Sequence, residues 1–423
     1  MGSVARPAVL AALLLVLAGC GGGASAPATG DPAELAPADA QSFALLRTDA
    51  EDEDVRRAVE LLERLPAVRD HELDLEREVL PALGDEAALV VLAEGERVWL
   101  VRPDDRERFD ELVERMRKRP VTREVEGWLA VAGDDAALEA YQRGREGGSL
   151  SDREDVRDAL EGLADDAVVR VWSSPDAEGP LRDGVLAVRA AADGFELEGH
   201  RPGGADVEPY RPSLLDRVPA GATVATSFHG SEGLADRLRM LPFLAALDRH
   251  ELAAVVEGEG VLYVRPSALV PELTLLAEVR DEEAATRAAA SLLESMGAIA
   301  RGPGSAQFGP LAVHYGARDG LLVLTSSPAA LDVLRPAAGG GLPADPAFER
   351  IAQRAGLGVE TTGFLFVRGD ELAPMLGVLS LLGGPPPKPE VRENLAALGS
   401  VLLHGSRDGD RRRVSGVVEV PER

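Results

Sequence analysis

The chain has 423 residues, with 45 basic against 72 acidic side chains and a formal net charge of −27 at pH 7. That excess of carboxylates repels nucleic acid and anionic lipid, so neither is expected as a partner, and it keeps an exported protein in solution. The length allows two or three domains with full cores, and the lone cysteine, Cys20, excludes an intramolecular disulfide.

Lys118 and Lys388 are the only lysines, Ile299 and Ile351 the only isoleucines and Asn394 the only asparagine, while Ala, Arg, Gly and Leu abound. The skew matches GC-rich codon usage, so the arginines are not read as phosphate ligands.

Arg6 precedes an apolar run over residues 8–18, far short of the roughly 20 residues that a spanning helix needs. The run is read as a signal peptide over residues 1–19. It closes on Leu17-Ala18-Gly19-Cys20, which resembles the lipobox of diacylglyceryl-modified lipoproteins. Cleavage is then expected between Gly19 and Cys20, with the Cys20 thiolate taking the lipid. Each buried CH₂ of an acyl chain contributes about 0.8 kcal/mol, so two or three chains hold firmly where one does not. The mature chain would have 404 residues and a net charge near −28, anchored to the extracytoplasmic face of the cell membrane through its N-terminal lipid.

Residues 20–37 are rich in Gly, Ala, Ser, Thr and Pro and read as a flexible tether. A strand is expected over 40–47, then an acidic run over 49–54 opening a helix that reaches Leu65, with Val55, Val59 and Leu62 on one face. Asp49, Glu51, Glu53 and Glu60 fall at calcium-loop places, but Asp54 stands where that loop needs glycine, so helix capping is the better reading. A hairpin follows around Glu94-Gly95, and then a helix over 105–118 carrying Phe109, Leu112, Val113 and Met116. A strand over 127–131, helices over 135–141 and 153–163, a strand over 168–172 and a hairpin around Asp193-Gly194 complete the unit.

After the Gly/Pro-rich break at 202–212 the same order begins again. Pro37-Ala38-Asp39-Ala40 returns as Pro219-Ala220-Gly221-Ala222, and Leu65-Pro66 as Leu241-Pro242, at spacings of 182 and 176 residues. Gly127 to Val131 returns as Gly320 to Leu324, and each copy ends in a hairpin, the second around Asp408-Gly409. Residues 94–98 also resemble 257–261, but that pairing breaks the strand-to-helix order, which pairing 98–116 with 273–296 preserves. The expected fold is α+β: a tandem duplication of an antiparallel-rich sheet with packed helices, the repeats spanning 38–202 and 213–421.

The lipobox, the Pro37-Ala38-Asp39-Ala40 start and the duplicated body resemble the secreted bacterial proteins grouped as domain of unknown function 3352, over most of the mature chain. That group has no assigned activity, so the resemblance implies no catalytic or binding residue.

Chemistry-bearing patterns are sparse. The histidines His71, His200, His229, His250, His314 and His404 show no i, i+4 zinc pair. Ser227, His229 and Ser231 lie close along one segment without a nucleophile elbow around them. Gly258-x-Gly260 has Tyr263 where a dinucleotide loop needs a small residue. No catalytic residue, metal or cofactor is therefore expected, and the leading function is a non-catalytic binding or interaction lipoprotein of the cell envelope. The alternatives are a solute-binding component of a transporter and, third, a hydrolase.

Residues 372–382 are apolar all round except Ser380. Such a helix is normally buried. Otherwise it forms, with residues 240–247, an apolar groove lined by Met240, Leu244, Met375 and Leu379, open to a protein or lipid partner.

Overall fold

A computed structural model describes residues 31–69, 73–116, 119–177, 182–203, 208–230, 256–267, 270–309, 311–328, 330–331, 341–379 and 387–422. The chain divides into two compact units. The first comprises Met1–Gly204 with Asp408–Val414 and Val420–Arg423, the second Ala205–Arg407 with Ser415–Glu419.

In the first unit the strands are β1 (Ser42–Arg47), β2 (Glu86–Val91), β3 (Arg97–Val101), β4 (Val121–Val125), β5 (Trp128–Ala132), β6 (Val169–Ser173), β7 (Gly184–Ala191) and β8 (Gly194–Pro202). They pair in the spatial order β4-β5-β3-β2-β1-β6-β7-β8, each pair antiparallel. The second unit holds β9 (Val224–His229), β10 (Val256–Arg265), β11 (Glu272–Val279), β12 (Ile299–Gly302), β13 (Ser305–Phe308), β14 (Leu311–Arg318), β15 (Leu321–Thr325), β16 (Gly363–Arg368) and β17 (Ser400–Asp408). The last strand of the chain is β18 (Arg411–Glu419). The order β14-β15-β11-β10-β9-β16-β17 repeats that of the first unit, again antiparallel throughout. The fold is thus α+β and duplicated.

Helices are opened by acids. In the first unit α1 (Pro32–Leu35), α2 (Glu53–Glu63), α3 (Arg106–Arg115) and α4 (Asp135–Arg145) start on Asp31, Asp52, Asp105 and Asp134, each accepting a backbone N–H of the first turn. A further helix, α5 (Glu154–Glu161), has no side-chain cap. The acidic run at 49–54 serves as cap and ion-pair partner: Asp52 caps α2 and pairs with Arg47, while Glu53 and Asp54 pair with Arg57. In the second unit α6 (Glu282–Ser295) follows β11 as α3 follows β3, which is the order-preserving pairing of the copies. Among the described residues the second unit also holds α7 (Pro346–Arg354), α8 (Gly369–Leu379) and α9 (Pro389–Ala397).

One sheet face in each unit carries the larger core. In the first it gathers Phe43, Val90, Leu100, Trp128, Leu138, Tyr141 and Leu150. In the second it gathers Ala225, Val261, Tyr263, Leu276, Phe348, Ile351, Phe364 and Phe366. The opposite face of the second unit packs Phe228, Leu262 and Leu275 against Ala285, Ala289 and Leu292 of α6.

Two boundaries differ from the sequence reading. Residues 31–37 are not tether: Asp31 and Pro32 start a helical turn whose Ala33, Leu35 and Ala36 enter the core, and the Tyr141 hydroxyl donates to the Leu35 carbonyl at 2.8 Å. Ala36 also accepts from the Leu150 N–H at 2.8 Å. Composition had pointed to disorder, but so short a helix needs only a cap, a proline at its first position and one large apolar side chain. The C-terminal end, expected in the second repeat, divides between the units. Within the first unit Val420 N–H donates to the Asp193 carbonyl, Arg64 donates to the Val420 carbonyl, and Arg412 donates to the Gly203 carbonyl. The Asp193 carbonyl in the β7–β8 turn and the Gly203 carbonyl after β8 thereby gain partners from the far end of the chain.

Asp345 joins several elements of the second unit. It caps α7 through the Ala347 and Phe348 amides, accepts the Gly221 N–H at 2.8 Å and pairs with Arg368, which also bonds Glu371 at 2.9 Å. Burial alone would raise its pKa, but the backbone donors and Arg368 outweigh it and hold the carboxyl below its ordinary value. Because the folded value is depressed, the stability it contributes is present above the ordinary carboxylate range and is lost as pH falls through the depressed value. Asp345→Ala is expected to cost about 3–5 kcal/mol in chemical denaturation at neutral pH, with the deficit shrinking in acid. Leu35→Ala is expected to cost about 2–4 kcal/mol, as for other buried leucines, whereas a tether residue would be silent in the same measurement.

Candidate functional site

The period of two along β9 places Ala225, Ser227 and His229 on one sheet face, opposite Tyr263, Val261 and Glu259 of β10. Toward the His229 end this face turns from apolar to polar. The segment entering the second unit covers it: Tyr210 and Thr361 exchange backbone hydrogen bonds at 2.9 Å, and a 3-10 turn follows at Ser213–Arg217.

Glu259 is the centre of this arrangement. Only 3% exposed, it accepts from Ser213 N–H at 2.7 Å, Ser213 Oγ at 2.8 Å and Leu214 N–H at 3.0 Å. Its own N–H donates to Glu278 Oε2 at 2.9 Å instead of to a strand carbonyl. The reason is a β-bulge: the β10–β11 register shifts between Val256 and Gly260. Glycine at 258 lets this carboxylate lie close, since a Cβ there would stand 2.1 Å from Glu278 Oε2 and displace it. Burial pushes the Glu259 carboxyl up, the nearby Glu278 charge adds to this, and the Ser213 and Leu214 donors oppose it.

Beside this clasp is a cleft of about 560 Å³ lined by Leu214, Asp216, Arg217, Glu278, Asp319 and Leu321 among others. Asp319 and Gly320 also line it, both at positive φ in the two-residue turn between β14 and β15. Its lining thus combines the carboxylates of Asp216, Glu278 and Asp319 with the apolar side chains of Leu214 and Leu321.

Ser227 and His229 do share a face, but they do not form a catalytic pair. Ser227 is fully buried, with its hydroxyl 2.5 Å from that of Tyr210, and the Tyr210 ring stacks on His229 with centroids 5.1 Å apart. Nucleophilic chemistry needs a hydroxyl that substrate can reach and a base that can take its proton. Here Tyr210 occupies that position. His404 is likewise built in, its Nε2 donating to the Ala355 carbonyl at 2.8 Å.

Gly19, Cys20, Met240 and Leu244 lie outside the described residues. Met375 is buried on α8, and Leu379 ends that helix with its side chain outside the description. The helix is not buried all round: Ala373 and Met375 face inward while Pro374 and Gly377 are exposed. The described ends from which the two groove segments depart are well separated. The chain leaves β9 after His229, whereas α8 follows Arg368, whose N–H donates to the carbonyl of Thr223, just before the other end of β9, about 20 Å away at strand rise. The sequence reading did not single out Tyr210, Ser213 or Glu278. The usable signal was Glu257-Gly258-Glu259-Gly260, since glycines inside a strand pattern mark a bulge.

No protein-family model matches the chain, and no curated protein matches it. Among solved structures it is similar to TP0453 of Treponema in several crystal forms. Form I aligns with a TM-score of 0.25 and 17% identity over 51% of this chain and 93% of that one. Form IV aligns with 0.24 and 15% over 51% and 94%, and form III with 0.23 and 16% over 51% and 96%. Among the described residues no helix is long and apolar enough to cross a membrane.

Removing the acceptor at Glu259 tests the clasp. Glu259→Leu leaves the Ser213 and Leu214 amides unpaired in a buried place and is expected to cost about 1–3 kcal/mol, while Glu259→Gln retains an oxygen there and costs less. The folded pKa is raised, so the carboxyl favours the folded state most below the ordinary carboxylate range, and this contribution is lost as pH rises through the raised value. Urea unfolding from acid to neutral pH should therefore show the wild type declining relative to Glu259→Gln. Parallel curves would show that burial does not perturb this carboxyl.

Proposed function

We propose that the chain is a lipid-anchored protein of the cell envelope, held on the extracytoplasmic face of the membrane through Cys20, whose body is a non-catalytic binding or interaction module. The observation that carries this reading is the apolar run closing on Leu17-Ala18-Gly19-Cys20, a short distance in sequence ahead of the cap Asp31. The resemblance to domain of unknown function 3352 belongs to the same proposal.

The non-catalytic part rests on how the polar groups are used. Ser227 is tied to Tyr210, Glu259 to Ser213 and Leu214, and His404 to Ala355. Each holds a loop or turn in place and has no geometry for nucleophilic or acid–base work on a bound substrate. The uniformly antiparallel strand pairings within each unit also disfavour the solute-binding alternative, whose domains are usually wound from parallel βαβ units.

Metabolic labelling with a palmitate analogue, followed by detergent partition, tests the anchor. Wild-type chain should label and enter the detergent phase, and Cys20→Ala should do neither. Full labelling of Cys20→Ala would remove the basis of the reading.

A further inference from the structure

The last residues of the chain are held on the first unit along β8. Val420 N–H donates to the Asp193 carbonyl at 2.8 Å, Arg412 Nε donates to the Gly203 carbonyl at 2.8 Å, and Arg413 pairs with Glu198. Asp193 immediately precedes β8, Glu198 lies within it and Gly203 follows it, and β18 is a pairing partner of that strand. The first residues of β18 and the chain end after it accordingly belong to the first unit.

His200 lies inside this grip. The period of two along β8 puts it on the same sheet face as Glu198, opposite Val185 of β7, which belongs to the larger core of the unit. The ring is half-buried, and α5 meets it at its C-cap Gly162, where an added Cβ would stand 3.8 Å from the ring Cε1. Because Arg413 reaches Glu198, Arg413 and, two residues before it, Arg411 are on that face too. The charged groups around the imidazole are therefore Glu198 on β8, Arg411 and Arg413 on β18, Asp408 at the turn before β18, and the exposed Asp158 and Glu161 in the last turn of α5. Gly184, Val185 and Leu186 of β7 carry no charge. Burial, Arg411 and Arg413 outweigh Glu198 and Asp408 and hold the imidazole below its ordinary pKa.

We propose that acid loosens the C-terminal segment from the first unit, with His200 as the trigger: protonation puts a third positive charge on the face where Arg411 and Arg413 already lie, and the segment carrying those arginines gives way. Once it has moved, the imidazole returns to water and to its ordinary proton affinity. The held form binds the proton less well than the released form, so the hold is complete above the ordinary imidazole value of about 6.5 and weakens as pH falls through it. Release takes the Val420 and Arg412 donors away from the Asp193 and Gly203 carbonyls and bares an edge of β8, the kind of edge with which another strand pairs. The lipid anchor plays no part in this device.

The test is hydrogen–deuterium exchange on the whole mature chain, read at peptides covering residues 193–203 and 411–422 and corrected for the intrinsic pH dependence of exchange. Between about pH 7.5 and about pH 5 opening of these peptides should rise several-fold, with a ceiling of about 30-fold set by the ordinary imidazole pKa, while peptides of β10 and β11 should not follow. His200→Gln, which takes up no proton, should flatten the response, and His314→Gln, on β14 of the second unit, should keep it. Arg411→Gln retains the histidine and removes one repelling charge, so the NMR titration midpoint of His200 should move up and the acid response should shrink. Equal opening of the wild type at the two pH values would overturn the proposal, as would a full response in His200→Gln. Should His200→Gln fail to fold, Arg411→Gln decides alone, since an unmoved His200 midpoint there refutes the trigger.

Discussion

A strand buried on both faces cannot leave either edge without hydrogen-bond partners, and in both units that constraint falls on the same strand. β1 is bonded by β2 on one side and β6 on the other, and β9 by β10 and β16. In each case the second partner arrives only after the chain has built one wing of the sheet, since β6 begins at Val169 and β16 at Gly363. Leaving these backbone groups unpaired would cost far more than closing a long loop, whose entropy grows only logarithmically with length. The rest of the order follows. Strands formed before the return stack on one side of the central strand, and those formed after it stack on the other.

The two copies solve the same problem with different chemistry, which is how a duplication loses its sequence likeness while keeping its topology. At the joint between the entering segment and the helix before the returning strand, the second unit uses a carboxylate: Asp345 accepts from Gly221. In the first unit the residue before α5 is Arg153, which donates to the Ala38 carbonyl at 3.3 Å. One joint has an acceptor and the other a donor, with the backbone partner exchanged to suit. The covering segment diverges likewise. In the first unit α1 lays Leu35 into the core, and in the second a 3-10 turn lays Leu214 and Leu215 there and closes on Glu259.

Features written in local chemistry were readable in the sequence, and features made by distant pairing were not. The hairpins around Glu94-Gly95 and Asp193-Gly194 needed only turn residues between apolar runs, and they are present as β2–β3 and β7–β8. The helix over 105–118 needed only its periodicity, and Phe109, Leu112 and Val113 are buried as expected. β4 and the β12–β13 hairpin escaped notice because they lie toward the sheet margins and carry few core side chains; all four residues of β12 are exposed. The cleft was invisible for another reason. Ser213, Glu259, Glu278 and Asp319 are brought together only by strand pairing and by the bulge at Gly258, and nothing in their immediate neighbours announces a site.

The acidity of the chain is best understood in the same terms. With 72 carboxylates against 45 basic side chains, most acids cannot be neutralised by ion pairs, and exposed pairs contribute little in any case. Many are used on the backbone instead. Among the described residues Asp31, Asp52, Asp74, Asp105, Asp134, Asp281 and Asp345 each accept an amide at the start of a helix or helical turn. A composition with a single asparagine leaves aspartate, serine and threonine to provide such caps. Aspartate adds a favourable interaction with the helix dipole, typically 0.3–1 kcal/mol, roughly doubling the reason to place it there. Part of the negative charge that first suggested an absence of nucleic-acid partners is therefore a requirement of the fold.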